Sequence, residues 1–453
     1  MGVEDGLTAG RPRTDPRSMS TGPDLEGVGP RGPGSKERPV SALMDLDEAV
    51  EHVVRAALRS SPPGPVGLEL EGHLVDLDAP GRRVPWERIR AVIDALAPLP
   101  GGSSVSLEPG GQVELSGPPA SGVAAAVAGI RADRQVLDAA LTADRLGLAA
   151  LGSDPLRRPA RVNPAPRYSA MEEHFTAVGC AAAGLAMMTS TASLQVNLDA
   201  GPASGWGTRV ALAHQLGPVL VAVSACSPLL AGRRTGWRST RQQVWGNLDQ
   251  ARCGPLLGGD DPAGEWAEYA LSAPVMLVRD PDTGSTEPVR TRTTFADWVT
   301  GEVPLGGRGP TPADLEYHLT TLFPPVRPRG FLEIRYLDAA PEPWWPALAA
   351  VTATLLDDPA AADRAAEASA PVAAQWDRAA RLGLADQALH AAARGCLAAA
   401  LDAAPPVLLP EVAALAALVD RGHSPGDAVL AAVRRSGPAA VLLNAAEQPE
   451  GFR

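Results

Sequence analysis

Residues 189–199 read T-S-T-A-S-L-Q-V-N-L-D. Thr191, Ser193, Gln195, Asn197 and Asp199 alternate with Ala192, Leu194, Val196 and Leu198, the period of two that sends successive side chains to opposite faces of a β-strand. One face is wholly polar and the other wholly apolar, so the stretch reads as a strand with one side on a core. Residues 66–76, V-G-L-E-L-E-G-H-L-V-D, alternate in the same way and bring Glu69 and Glu71 to one face. Residues 104–116 read as two short strands folded back at Pro109-Gly110-Gly111, with Glu108 and Gln112 flanking the turn and Glu114 following it. In 331–337, Leu332, Ile334 and Tyr336 oppose Glu333 and Arg335.

Long helical inserts separate these strands. Apolar residues at helical spacing predict a helix over 41–58 capped by Ser41, the Ala-rich run 123–146 suits an amphipathic helix over a sheet, and 208–223 reads as helical. Residues 232–254, rich in Arg and Gly, read as a long functional loop with some helix. Beyond Pro346 the chain is helical, with a helix start at Ser424-Pro425. Hairpin-like pairing between such inserts predicts an α+β fold with an antiparallel or mixed sheet surrounded by helices. The expected division is a disordered tail over 1–39, a catalytic domain over 40–357 and an Ala-rich helical region over 358–453 packed on it.

Composition removes several function classes. The net charge of −12 over 453 residues argues against nucleic-acid binding, and no apolar run reaches the roughly 18 residues of a membrane span. Cys180, Cys226, Cys253 and Cys396 form no Cys-x-x-Cys pair, which predicts neither disulfide framework nor thiolate metal site and fits a reducing cytosol. The sole lysine is Lys36. A Walker-type phosphate loop, which needs a lysine after its glycines, is therefore excluded, and no Gly-x-Gly-x-x-Gly follows a strand, which weakens a dinucleotide-fold reading.

The informative pattern is that four strand segments each present polar groups on one face: Glu69/Glu71, Glu108/Gln112/Glu114, Thr191/Gln195/Asn197 and Glu333/Arg335. A single wet sheet face is ordinary. Five glutamates on one surface without lysine are not, because they repel one another and raise their own pKa values. Hard divalent cations relieve that repulsion, and an all-oxygen donor set favours Mg2+ or Mn2+ over zinc. If the chain uses ATP, metal ions and arginines must hold the phosphates, since no phosphate loop does.

The run from Ser106, S-L-E-P-G-G-Q-V-E-L-S-G, resembles the signature of the glutamate-cysteine ligases, above all their plant and proteobacterial branch. The Glu69-x-Glu71 strand is similar to that family's first metal-binding strand. Arg167-Tyr168, Met187-Met188, the strand from Thr189, Ser239-x-Arg241, Trp245, Asp249, Arg252, H-L-T-T-L-F-P-P-V-R from His318 and F-L-E-I-R from Phe331 match in order. The Ala-rich composition is most similar to actinobacterial members that supply γ-glutamylcysteine for ergothioneine synthesis. The resemblance implies a funnel-like antiparallel sheet of the glutamine synthetase type and a cytoplasmic enzyme that joins glutamate, cysteine and ATP as small-molecule substrates. By position it implies Glu69, Glu71, Glu108, Glu114 and Glu333 as ligands of Mg2+ or Mn2+. It implies Gln112, Thr191, Gln195 and Asn197 lining the nucleotide and glutamate sites, and Arg241 and Arg335 binding the glutamate carboxylate or the transferring phosphate.

Two other readings remain open from the residues: a carboxylate-amine ligase using another amine, and a non-catalytic nucleotide or amino-acid sensor. His73, His174, the cysteines and Trp344-Trp345 read as structural.

Overall fold

The computed structural model describes residues 43–256 and 259–447; the expected tail over 1–39 lies outside them. The strands, in chain order, are β1 (Val66–Asp76), β2 (Ser104–Leu107), β3 (Val113–Ser116), β4 (Leu146–Ala149), β5 (Ser193–Asp199), β6 (Leu229–Leu230), β7 (Arg233–Arg234), β8 (Leu277–Arg279), β9 (Thr286–Pro288), β10 (Val326–Pro328) and β11 (Phe331–Asp338). The main sheet runs β10-β11-β5-β1-β3-β2, every pair antiparallel. Strand β1 is long enough to serve three partners: residues 66–70 pair with β5, 69–72 with β3 and 73–76 with β4.

One face of this sheet is the core. Leu68 lies opposite Val196, Leu70 opposite Leu194 and Leu115, and Leu198 opposite Leu332, and all of these side chains are buried. Each contributes about 1.5–3 kcal/mol of apolar burial. The helices 123–143, 217–224 and 344–357 pack against β1, β11 and β5 respectively. The core continues without a break into the helices beyond residue 358, among them Gln387–Ala403 and Leu409–Asp420.

Three local expectations change. The first helix, α1, spans Leu46–Ala57 and is capped by Asp45, whose carboxylate accepts from the Glu48 amide while Glu48 reaches back to the Asp45 amide; Ser41 is outside the described residues. Residues 208–223 break into two helices, Trp206–Gln215 and Gly217–Ser224. Residues 189–192 are not strand. A helix runs over Ala181–Ser190 and β5 begins at Ser193: the hydroxyls of Thr189 and Thr191 donate to the carbonyls of Leu185 and Met187, four residues back, and so serve the helix end.

Candidate active site

The other face of the sheet gathers the charged side chains, and the register explains how. Glu71 lies opposite Glu114, Glu69 opposite Gln195, Glu114 opposite Ser106, and Glu333 opposite both Asn197 and Arg327. Residues read as separate polar faces thus form one surface across β2, β3, β1, β5, β11 and β10. Glu108 joins it from the turn between β2 and β3, closed by Glu108 and Gln112 backbone bonds and by Gly111 at φ 80°, a conformation that suits glycine. A second, smaller hydrophobic cluster that includes Met187, Met188, Val244 and Tyr317 is partnered by Tyr168 and Trp245. Tyr168 lies close enough to Glu108 and Glu114 to feel their charge.

The carboxylates divide into two kinds. Glu71 accepts from the Ser193 amide (2.8 Å), the Ser193 hydroxyl (2.8 Å) and Gln195 Nε2 (3.2 Å). Glu69 accepts from Asn197 Nδ2 (3.0 Å), and Glu114 from the Ser106 (3.1 Å) and Ser116 (2.9 Å) hydroxyls. These are neutral donors, and they leave the negative charge uncompensated. Burial, then Glu114 and Glu333, push Glu69 up to about 7; burial and Glu71 push Glu114 up to about 7; burial, Glu114 and Glu71 raise Glu108 well above the usual carboxylate range. Burial also raises Glu71, against the pull of Arg241.

Glu333 is the opposite case. Arg327 forks onto it, with Nη2 to Oε1 at 3.0 Å and Nε to the other oxygen, while Arg329 and Arg335 stand 3.2 and 3.1 Å away. Burial works to raise its pKa, but Arg327 and Arg335 outweigh burial and hold the carboxyl well below its ordinary range. Arg335 also donates to Gln195 Oε1 at 2.6 Å. Arg241 donates through Nη2 to the Arg335 carbonyl at 2.7 Å, and its other terminal nitrogen, Nη1, is buried with no partner.

Gln112 and Thr191, expected to line the nucleotide and glutamate sites, spend their polar atoms on the backbone. Gln112 donates to the Thr191 carbonyl (2.9 Å) and the Met188 carbonyl (3.3 Å) and accepts from the Gly110 amide (3.0 Å). They frame the site rather than face it, because both are buried at the end of the 181–190 helix. Gln195 and Asn197 do face it, as partners of Glu71 and Glu69. Ser193, Ser106, Ser116, Arg327 and Arg329 were not singled out as site residues; Ser193 shares the parity of Gln195, a signal that was there to use. His174 is buried with Nδ1 on the Val289 carbonyl (2.6 Å).

Among the described residues, no three His, Cys, Asp or Glu side chains stand closely enough to hold a metal ion as arranged. Their like charges favour spreading onto serine, glutamine and asparagine donors when no cation is present. The donor set nonetheless fits a hard divalent ion. Four half-buried carboxylates feel Arg335 only from a distance that leaves their pKa values raised, and beside Glu69 the Asn197 Oδ1 is buried without a donor, so oxygen lone pairs outnumber the protons available to them.

Comparisons with known proteins place the chain in a family. A family model described as glutamate-cysteine ligase family 2 matches residues 65–444. The chain is 58% identical over 383 residues to glutamate–cysteine ligase EgtA of Mycolicibacterium smegmatis, covering 84% of this chain and 90% of that protein. It is 31% identical over 288 residues to the chloroplastic glutamate–cysteine ligase of Arabidopsis thaliana, 61% of this chain and 53% of that one. A crystal structure of glutamate–cysteine ligase from Francisella tularensis in complex with AMP superposes with a TM-score of 0.56 at 13% identity, covering 86% of this chain and 89% of that one, which is a likeness of fold.

Proposed function

Because the chain belongs to glutamate-cysteine ligase family 2, we propose that it joins the γ-carboxyl of L-glutamate to the amine of L-cysteine at the expense of ATP, and that the γ-glutamylcysteine supplies ergothioneine synthesis. The observation that carries the reading is the set of four uncompensated carboxylates, Glu69, Glu71, Glu108 and Glu114, beside the arginines Arg241 and Arg335.

A carboxylate is a poor acyl donor. ATP phosphorylates the glutamate side chain, the cysteine amine attacks the resulting acyl carbon, and phosphate leaves. Glu69, Glu71, Glu108 and Glu114 would hold Mg2+ or Mn2+, with Glu333, now paired with arginines, a further candidate ligand; the ion, when bound, would supply charge neutralisation to phosphate oxygens. Ser193, Gln195 and Asn197 orient Glu71 and Glu69 through the bonds described above. Arg241, whose Nη1 is buried and unpartnered, donates to an anionic oxygen of glutamate or of the transferring phosphoryl group, and Arg335 does the same from the adjacent strand. Burial of these donors keeps water from the acyl phosphate and strengthens each charge interaction. The four unpaired cysteines and the charge of −12 fit a cytosolic enzyme of small substrates.

The test is phosphate release from ATP in the presence of Mg2+ and L-glutamate across a panel of amines. Release that depends on glutamate and is fastest with L-cysteine is the expected result. Release indifferent to glutamate overturns the ligase reading, and preference for another amine replaces cysteine as the substrate.

A further inference from the structure

The turn that carries Glu108 is surrounded by carboxylates that repel it, so something must hold it in place. Gly110, at its tip, lies so close to the chain that an added Cβ would stand 2.3 Å from the Thr189 carbonyl oxygen. The Val162 and Asn163 amides both donate to the Pro109 carbonyl, at 2.8 and 3.0 Å. Besides Gln112, one further side chain ties this turn directly to the lead-in of β5. Arg83, in the connection between β1 and the helix at Trp86–Asp94, is 12% exposed. Its Nη1 donates to the Gly110 carbonyl at 3.1 Å, and its Nη2 donates to the Ser190 hydroxyl at 3.0 Å and the Arg158 carbonyl at 2.9 Å. Asp154, at 3.9 Å, balances its charge. Three residues after Ser190, Ser193 grips Glu71 by amide and hydroxyl.

The Arg83 guanidinium therefore spans the turn that bears Glu108 and the segment that fixes Glu71. We propose that Arg83 is a positioning residue for cation binding: it holds the Glu108 turn at a set distance from Glu71, against their mutual repulsion, so that both carboxylates reach one divalent ion. It touches neither substrate nor ion. A planar fork suits the task because its two ends bond acceptors on different segments, which the single ammonium of lysine cannot match in the same geometry. Residues that orient metal ligands from behind typically change affinity about 10–100-fold when lost. The inference rests on the ligase reading and on its divalent ion.

The experiment is Mn2+ binding to the full chain, followed by the electron paramagnetic resonance of free Mn2+, for the wild type, Arg83→Met, Arg83→Lys and Ser190→Ala. The expected result is a dissociation constant for Mn2+ raised at least about tenfold in Arg83→Met and by a smaller factor in the other two. The ligase rate should climb back towards wild type at saturating Mn2+, which a general loss of folded protein would not allow. Should Arg83→Met fail to fold, the folded Arg83→Lys and Ser190→Ala proteins carry the same comparison. Unchanged Mn2+ affinity in folded variants overturns the positioning role alone. No Mn2+ binding by the wild type overturns it together with the metal reading of the carboxylates.

Discussion

Replacing Glu114 by glutamine converts the electrostatics of the site into a stability measurement. Without a cation, Glu114 ionises against burial and against Glu71, and its carboxyl titrates at about 7 where an ordinary glutamate titrates at 4.5. That difference corresponds to about 3 kcal/mol at 1.36 kcal/mol per unit. Glu114 is only half-buried and its neighbours titrate with it, so about 1–2 kcal/mol is the share one substitution recovers. The folded-state pKa lies above the unfolded one, so the folded protein retains a proton that the unfolded chain gives up. The penalty is absent below pH 4.5, grows as pH rises towards 7 and is complete above it. Glutamine keeps an oxygen to accept from Ser106 and Ser116. In EDTA, the wild type should therefore lose stability from pH 5 to pH 8, while Glu114→Gln loses less and is the more stable protein at pH 8. With an unfolding entropy of about 2.1 cal/mol/K per residue over roughly 400 residues, 1–2 kcal/mol is a rise of about 1–2 °C in Tm. Thermal unfolding at pH 5, 6.5 and 8, with and without Mg2+, measures this, and Mg2+ should stabilise the wild type at pH 8 more than the variant. A Glu114→Gln protein no more stable than wild type at pH 8 in EDTA would refute the claim that these carboxylates are held together at a cost.

Glu108→Gln should fold normally and lose turnover by a factor of about 100 or more, because it removes a charge from the cation site without removing volume; near wild-type rates in the phosphate-release assay would mean that Glu108 is a solvated turn residue. Gln112→Ala should act on stability first, since it leaves the Gly110 amide and the Met188 and Thr191 carbonyls without partners. About 1–3 kcal/mol is expected, read by chemical denaturation, and a loss of activity at unchanged stability would instead return Gln112 to the substrate-binding set.

The legible part of this site was what a strand encodes locally. Parity alone put Glu69 with Glu71, Gln195 with Asn197 and Glu333 with Arg335, because side-chain direction repeats every two residues whatever the neighbours are. Which strand lies beside which is a non-local fact. That β1 sits between β5 and β3, bringing Glu69 opposite Gln195 and Glu71 opposite Glu114, depends on one pairing across more than a hundred residues and another across more than forty. Thr189 and Thr191 misled for a physical reason: threonine hydroxyls serve a helix end as well as a polar strand face, and here they bond the carbonyls four residues back. The arginines that clasp Glu333 from β10 and Arg83 from a loop had no periodic signal, since each acts through a long side chain reaching another segment. The family motifs supplied what periodicity could not, by ordering segments that the sequence separates.

The same surface is divided by charge, and the division bears on how the substrates must lie. On the β1 and β3 side, Glu69, Glu71 and Glu114 accept hydrogen bonds from neutral donors, Glu108 stands among them, and Arg335, with Arg241 for Glu71, is near enough to feel. On the β10 and β11 side, Arg327, Arg329 and Arg335 surround Glu333, three positive charges against one negative, while Arg241 lies between Asp338 and Glu71. A cation is drawn to the first half and an anion to the second, with Gln195 at the seam, bonded to Glu71 through its nitrogen and to Arg335 through its oxygen. In the proposed reaction the carboxylates of the first half would hold the divalent ion, which would supply charge neutralisation to phosphate oxygens, and the arginines of the second half would meet the anionic oxygens of glutamate or of the phosphoryl group. Glu333 then has a reason to sit among arginines: it holds Arg327, Arg329 and Arg335 together at one place on the sheet.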